Sequence, residues 1–334
     1  MPVTPSGRPQ SEVRHRARLT CVPRAMRSVA PALAAILLLA ACTAAHGTVT
    51  KPAAAAPPPQ LDSYVALGDS YTSAPQVPQQ VGDPAGCQRS DHDYPALVAQ
   101  HLGLKAGKSH DVSCSGARIA DLSATQPTSN GVNPAQFAAL AADTSLVTLG
   151  IGGNDVDFAG VLTRCVELDA PSTLIALIRD TTADAAPCRA FYTADGADRI
   201  QQKIQTASAD LATALASIHQ RAPHARVYVV GYPDLLPASD AATCARTLGL
   251  SPGDVSYLND AEIQLNDMLK RQTAAAADAY VDTYTPSLGH DACADPASRW
   301  IEPLIPNAPA EPVHPNALGE QGMAAAVERA IAAR

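Results

Sequence analysis

Tyr64-Val-Ala-Leu-Gly-Asp-Ser70 is the stretch whose reading decides the fold. Val65, Ala66 and Leu67 form an unbroken apolar run, the character of a strand buried on both faces of a parallel sheet. Gly68 lets the backbone turn sharply behind that run. Ser70 then falls just past the carboxyl end of a strand, where open α/β sheets put their ligand crevices. A hydroxyl in that position is well placed to act as a nucleophile.

Two more runs repeat the signal further along. Leu146-Val-Thr-Leu-Gly-Ile151 ends in Gly152-Gly153-Asn154-Asp155, and Val227-Tyr-Val-Val230 ends in Gly231-Tyr232-Pro233. Short strands are expected over 111–114 and 280–282. Helices are expected over 94–102, 133–142, 197–219, 255–279 and 317–333. The helix at 197–219 is the clearest, because Ile200, Ile204, Leu211, Leu215 and Ile218 recur at helical spacing and Pro223 stops it. Asn133 before Pro134 is the N-cap expected for the helix at 133–142. The stretch 163–195 is less regular and reads as an insertion with some helix. Strands alternating with helices predict a three-layer α/β/α sandwich around a mostly parallel sheet.

The chain of 334 residues is 46% hydrophobic, ample for a core, and only 4% aromatic. Its amino-terminal end reads as targeting sequence. Arg24 and Arg27 precede the apolar run 29–41, which ends in Leu39-Ala-Ala-Cys42, and Met26 is an alternative start. That ending resembles the lipobox of bacterial lipoproteins, which implies acylation of Cys42; ordinary secretion with cleavage near Ala41 or Ala45 is the alternative. The expected organisation is a leader over 1–41, an Ala/Pro-rich linker over 42–60 and one domain over 61–334. The leader carries six Arg and one Glu, so the formal charge of −8 falls to −13 beyond it. An acidic body without Lys/Arg runs argues against nucleic-acid binding.

Cys87, Cys114, Cys165, Cys188, Cys244 and Cys293 remain in the domain. An even number in an exported chain implies three disulfides. Sequential pairing is the simplest of the fifteen connectivities. Neither a CxxC nor a paired-His spacing occurs, so no metal is expected, and no cofactor.

The polar residues behind the strands suit acyl transfer. Ser70 needs a neighbouring base, and His314 in Glu311-Pro-Val-His314-Pro-Asn316 is the candidate. Gly116 offers an unobstructed backbone N–H and Asn154 a side-chain amide to the oxygen that becomes negative in a tetrahedral intermediate. Asp69 and Asp155 are expected to hold loops by hydrogen bonds.

Taken together, these residues resemble the GDSL or SGNH hydrolases. Gly68-Asp69-Ser70, Gly116, Gly152-Gly153-Asn154-Asp155 and His314 match that family's blocks in order over 64–319, nearly the whole domain. The resemblance implies a flavodoxin-like fold, Ser70 as nucleophile and His314 as base. It also implies an oxyanion hole of the Ser70 N–H, the Gly116 N–H and the Asn154 amide. Three sequential disulfides are similar to those of the family's secreted bacterial esterases, lipases and phospholipases. The family usually has Asp three residues before the histidine, whereas Glu311 stands here. The imidazole is then oriented either by the Glu311 side chain or by the Glu311 backbone oxygen, and Pro312 stiffening the segment favours the latter. Leu235, Leu236, Leu304 and Ile305 are candidates for an apolar acyl pocket, walled by the inserts at 74–93, 160–195 and 236–254. The expected protein is a monomeric secreted esterase or lipase, tethered through Cys42. Phospholipase A, a carbohydrate acetyl esterase and a ligand-binding lipoprotein are the alternatives.

Overall fold

The computed structural model describes residues 61–176 and 185–333, so the leader, Cys42 and the linker lie outside the described residues. Five parallel strands form the central sheet: β1 (Tyr64–Gly68), β2 (Ser109–Asp111), β3 (Leu146–Gly150), β4 (Arg226–Val230) and β5 (Ala279–Val281). They lie side by side in the order β2-β1-β3-β4-β5. The helices are α1 (Ser70–Ser73), α2 (Tyr94–His101), α3 (Gly153–Val156), α4 (Phe158–Ala176) and α5 (Pro187–Tyr192), then α6 (Arg199–Arg221), α7 (Ala241–Leu248), α8 (Pro252–Ala275), α9 (Tyr284–Ser287) and α10 (Ala317–Ala332).

The inner strands β1, β3 and β4 are mostly apolar because both of their faces are covered, whereas the edge strand β2 is the polar run Ser-His-Asp. Side chains alternate across a strand, so Val65, Leu67, Val147, Leu149, Val227 and Val229 pack with the apolar stripes of α6 and α8. Tyr64, Ala66, Tyr228, Val230 and Val281 pack on the other side with Val98 of α2 and Met323, Val327 and Ile331 of α10. This is the expected α/β/α sandwich, with the flavodoxin-like strand order. The order reverses between β1 and β3, so the crevice of such a sheet opens beyond the ends of those two strands.

The two strands end on paired glycines, Gly68 beside Gly150. A Cβ on Gly68 would lie 2.2 Å from Thr72 Oγ1 and 2.6 Å from the Gly150 carbonyl oxygen. Only glycine lets α1 fold back over the strand ends at this distance. Gln136 locks the same point, donating from Nε2 to the Gly68 carbonyl and accepting the Gly68 N–H through Oε1.

Two expectations are corrected. Residues 133–142 are not an α-helix: Val132–Asn133 pairs with Gln126–Pro127 in a small ribbon, and only Gln136–Ala139 makes a 3₁₀ turn. Apolar density there reflects burial of Phe137 and Gln136 against the sheet rather than a helical stripe. The edge strand is Ser109–Asp111, and the chain after it still bonds to β1 through Val112 N–H to Ala66 and Cys114 N–H to Gly68. The helix expected within 163–195 is present, as α4, which starts ahead of that stretch at Phe158, and as α5. The disulfides are sequential: Cys87–Cys114, Cys165–Cys188 and Cys244–Cys293.

Candidate active site

Ser70 opens α1, capped by Asp69, whose Oδ1 accepts the Tyr71 N–H at 2.9 Å. The N–H groups of a first helical turn have no acceptor within the helix, so the Ser70 N–H is available where the sheet's crevice opens. Ser70 is 6% exposed. His314 comes from the loop before α10, and its Nε2 lies 2.8 Å from Ser70 Oγ. The structure therefore brings together two residues 244 positions apart.

The loop that presents His314 is strained at a defined point. Val313 has φ +63°, a left-handed conformation that is an outlier for a β-branched residue and costs on the order of 1–3 kcal/mol. It is held by the Tyr71 hydroxyl donating to the Val313 carbonyl at 2.6 Å and by the Val313 N–H donating to Glu302. The Tyr71 ring also packs on the imidazole, centroid to centroid at 4.9 Å.

The imidazole is oriented differently from either version expected. Its Nδ1 lies 2.8 Å from the carbonyl oxygen of Pro312, not of Glu311. The Glu311 carbonyl instead accepts the backbone N–H of His314. Glu311 is among the residues that line the cavity, and its side-chain Oε2 is buried without a hydrogen-bond partner. An acceptor on Nδ1 fixes the tautomer with the proton there, leaving Nε2 free to accept from Ser70. Burial lowers the His314 pKa below its ordinary value, and the Glu311 charge opposes that shift.

Gly116 and Asn154 line the same cavity as Ser70 and His314. Gly116 has φ +77°, which only glycine adopts freely. Cys114, bonded to Cys87 and hydrogen-bonded to Gly68, anchors that turn to β1. Asn154 Nδ2 donates to the Ala117 carbonyl at 3.0 Å. A primary amide has two N–H donors, so this bond fixes the amide and leaves one donor over. Asp155 accepts the Ile119 N–H and Asp69 caps α1, the loop-holding parts expected of both.

Tyr232 was not among the candidate residues, although it follows the third strand signal as Asn154 follows the second. Its hydroxyl donates to Asp69 Oδ2 at 2.5 Å and accepts the Gly153 N–H at 2.7 Å. One phenol thus joins the loops behind β1, β3 and β4. Burial pushes the Asp69 carboxyl up to about 7 and Asp155 up to about 6, which suits groups that hold loops.

The cavity measures about 330 Å³. Phe158, Leu162, Leu235, Leu265 and Leu304 make much of its wall apolar. Leu235 and Leu304 thus line it as expected, whereas Leu236 is buried in the core and Ile305 is 82% exposed. Among the described residues of the three inserts, those that reach the cavity are Leu162 and Thr163 of 160–195. Among the described residues, the one group of three possible metal ligands is Cys244, Asp291 and Cys293, and both sulfurs are spent in a disulfide.

A family model described as the GDSL-like lipase/acylhydrolase family matches residues 66–321. The chain is 40% identical to a Streptomyces coelicolor protein, Lipase 2, over 288 residues, covering 84% of this chain and 90% of that protein. Its structure is similar to phospholipase A1 from Streptomyces albidoflavus, with 27% identity, a TM-score of 0.64 and coverage of 82% of this chain and 99% of that one. It is also similar to an extracellular lipase from Streptomyces rimosus, with 27% identity, a TM-score of 0.62 and coverage of 81% and 99%.

Proposed function

The chain belongs to the GDSL-like lipase/acylhydrolase family and is a carboxylic ester hydrolase; we propose that it works through an acyl-enzyme on Ser70. The observation that carries this reading is the 2.8 Å contact between Ser70 Oγ and His314 Nε2 inside a largely apolar cavity. Ser70 Oγ attacks the ester carbonyl carbon while Nε2 takes its proton. The carbonyl oxygen, now negative, is met by the Ser70 N–H, the Gly116 N–H and the free donor of the Asn154 amide. The C–O bond to the alcohol breaks as Nε2 returns the proton to the leaving oxygen. Water, deprotonated by the same nitrogen, then releases the acid and restores Ser70. The Pro312 carbonyl bears the imidazolium through Nδ1, so this is a serine–histidine pair oriented by the main chain.

Lipid esters are the substrates favoured by the aliphatic wall of the cavity, and the likeness to Lipase 2 of S. coelicolor supports the same class. The likeness to a phospholipase A1 keeps glycerophospholipids as the second reading. The reaction is tested by labelling the folded protein with a fluorophosphonate. The adduct is expected on Ser70, with a rate that rises with pH through a midpoint below 6.5, because burial keeps the imidazole neutral. An adduct elsewhere, or a midpoint well above 7, overturns the assignment.

The domain over 61–334 acts outside the cell in this reading, behind the leader at 1–41 and the linker at 42–60. Three disulfides fit an oxidising compartment, and all the proposed catalytic groups come from one chain, which supports action as a monomer. Leu39-Ala-Ala-Cys42 supports acylation of Cys42. Cys42→Ser is expected to move the protein from the membrane fraction to the medium; unchanged partition refutes the tether.

A further inference from the structure

Glu311 does not orient the imidazole, yet it is one of the residues that line the cavity. Among the described residues, three acidic ones line that cavity, Asp69, Glu262 and Glu311, and no Lys or Arg does. Two of the three are engaged. Asp69 is bonded to Tyr232 and the Tyr71 N–H, and Glu262 accepts the Leu235 N–H with both oxygens. Burial raises both carboxyls toward the neutral form. Glu311 differs, since its Oε2 is buried and has no partner. A buried acceptor left unpaired costs about 1–3 kcal/mol, and more when charged. Turning the carboxylate toward a donor supplied by a ligand in the cavity relieves that cost.

The chemistry decides which part of the ester arrives there. Nε2 must reach the leaving oxygen to return its proton, so the alcohol part lies on the His314 side of the cleft. Glu311 stands on the same loop, three residues before His314, close enough for its charge to act on the imidazole and on Tyr71. The apolar wall formed by Phe158, Leu162 and Leu265 comes from α4 and α8 and suits the acyl chain.

We propose that Glu311 is a specificity-determining residue: its carboxylate accepts a hydrogen bond from a hydroxyl or ammonium carried by the alcohol part, and it repels a phosphate in the same place. This rests on the Ser70 and His314 assignment. It selects partial glycerides, polyol esters and amino-alcohol esters over lipids with a phosphate beside the scissile bond.

The test measures kcat/KM for three substrates with one acyl chain: the monoacylglycerol, the methyl ester and the 1-acylglycerol 3-phosphate. In the wild type the monoacylglycerol is expected to lead and the phosphate to trail. In Glu311→Leu the preference for monoacylglycerol over methyl ester is expected to fall about tenfold, as for loss of a hydrogen bond to a charged group, while the phosphate substrate gains relative to both. Glu311→Gln keeps the side chain's volume and serves if the leucine variant does not fold; its phosphate discrimination is expected to weaken likewise. A uniform drop on all three substrates overturns the proposal, because it places the effect on His314 instead. Unchanged ratios overturn it too. If Ser70→Ala still hydrolyses these esters, the underlying assignment has failed rather than the specificity.

Discussion

Ser70→Ala is expected to lower kcat on a carboxylic ester by about 10⁶-fold, the scale seen when one member of a nucleophile–base unit is removed. The substitution deletes one oxygen and leaves its surroundings intact. Asp69 still caps α1, Tyr232 still bridges Asp69 to Gly153, and Gly68 still packs against Gly150. The melting temperature is therefore expected to stay within a few degrees, which separates loss of chemistry from loss of fold. His314→Ala is expected to cost a similar factor, and the double variant little more than either alone, because neither group works without the other. Steady-state rates against a thermal unfolding scan decide it. A Ser70→Ala enzyme within about tenfold of the wild type would move the nucleophile elsewhere.

Asn154→Ala is expected to lower kcat by about 10²–10³ with little change in KM, the usual cost of one oxyanion donor. The amide is held by its bond to Ala117, so its second N–H is aimed before substrate arrives. Asn154→Asp is expected to be worse than alanine, since it adds a negative charge where negative charge develops. A KM effect at constant kcat would show that Asn154 binds the substrate uniformly instead of favouring the transition state.

The parts of this site that were legible in the sequence are those carried by local pattern. Ser70 was legible because an apolar run, a glycine and a hydroxyl occur within seven residues. Asn154 was legible for the same reason behind the second run. The orienting group was not, because it is the main-chain carbonyl of Pro312, and a letter in a sequence reports only a side chain. Glu311 drew attention by its type, whereas the fold sets the residue in the cavity wall and turns its carbonyl to the His314 N–H. Tyr232 carried a weak signal, a polar ring just behind the third strand, which gained meaning only when the strand order set β4 beside β3. The helix expected at 133–142 failed for a different reason: Gln136 is a polar residue drawn into the core to satisfy both backbone groups of Gly68, and no periodicity announces that.

The distance along the chain between Ser70 and His314 bears on when the pair can exist. The strands β2 to β5 all lie between the two residues in sequence, and the folded sheet and the loop before α10 carry the imidazole back to the hydroxyl. A chain still extended holds an ordinary serine with no base within reach. The proposed ester chemistry at Ser70 is thus a property of the completed fold.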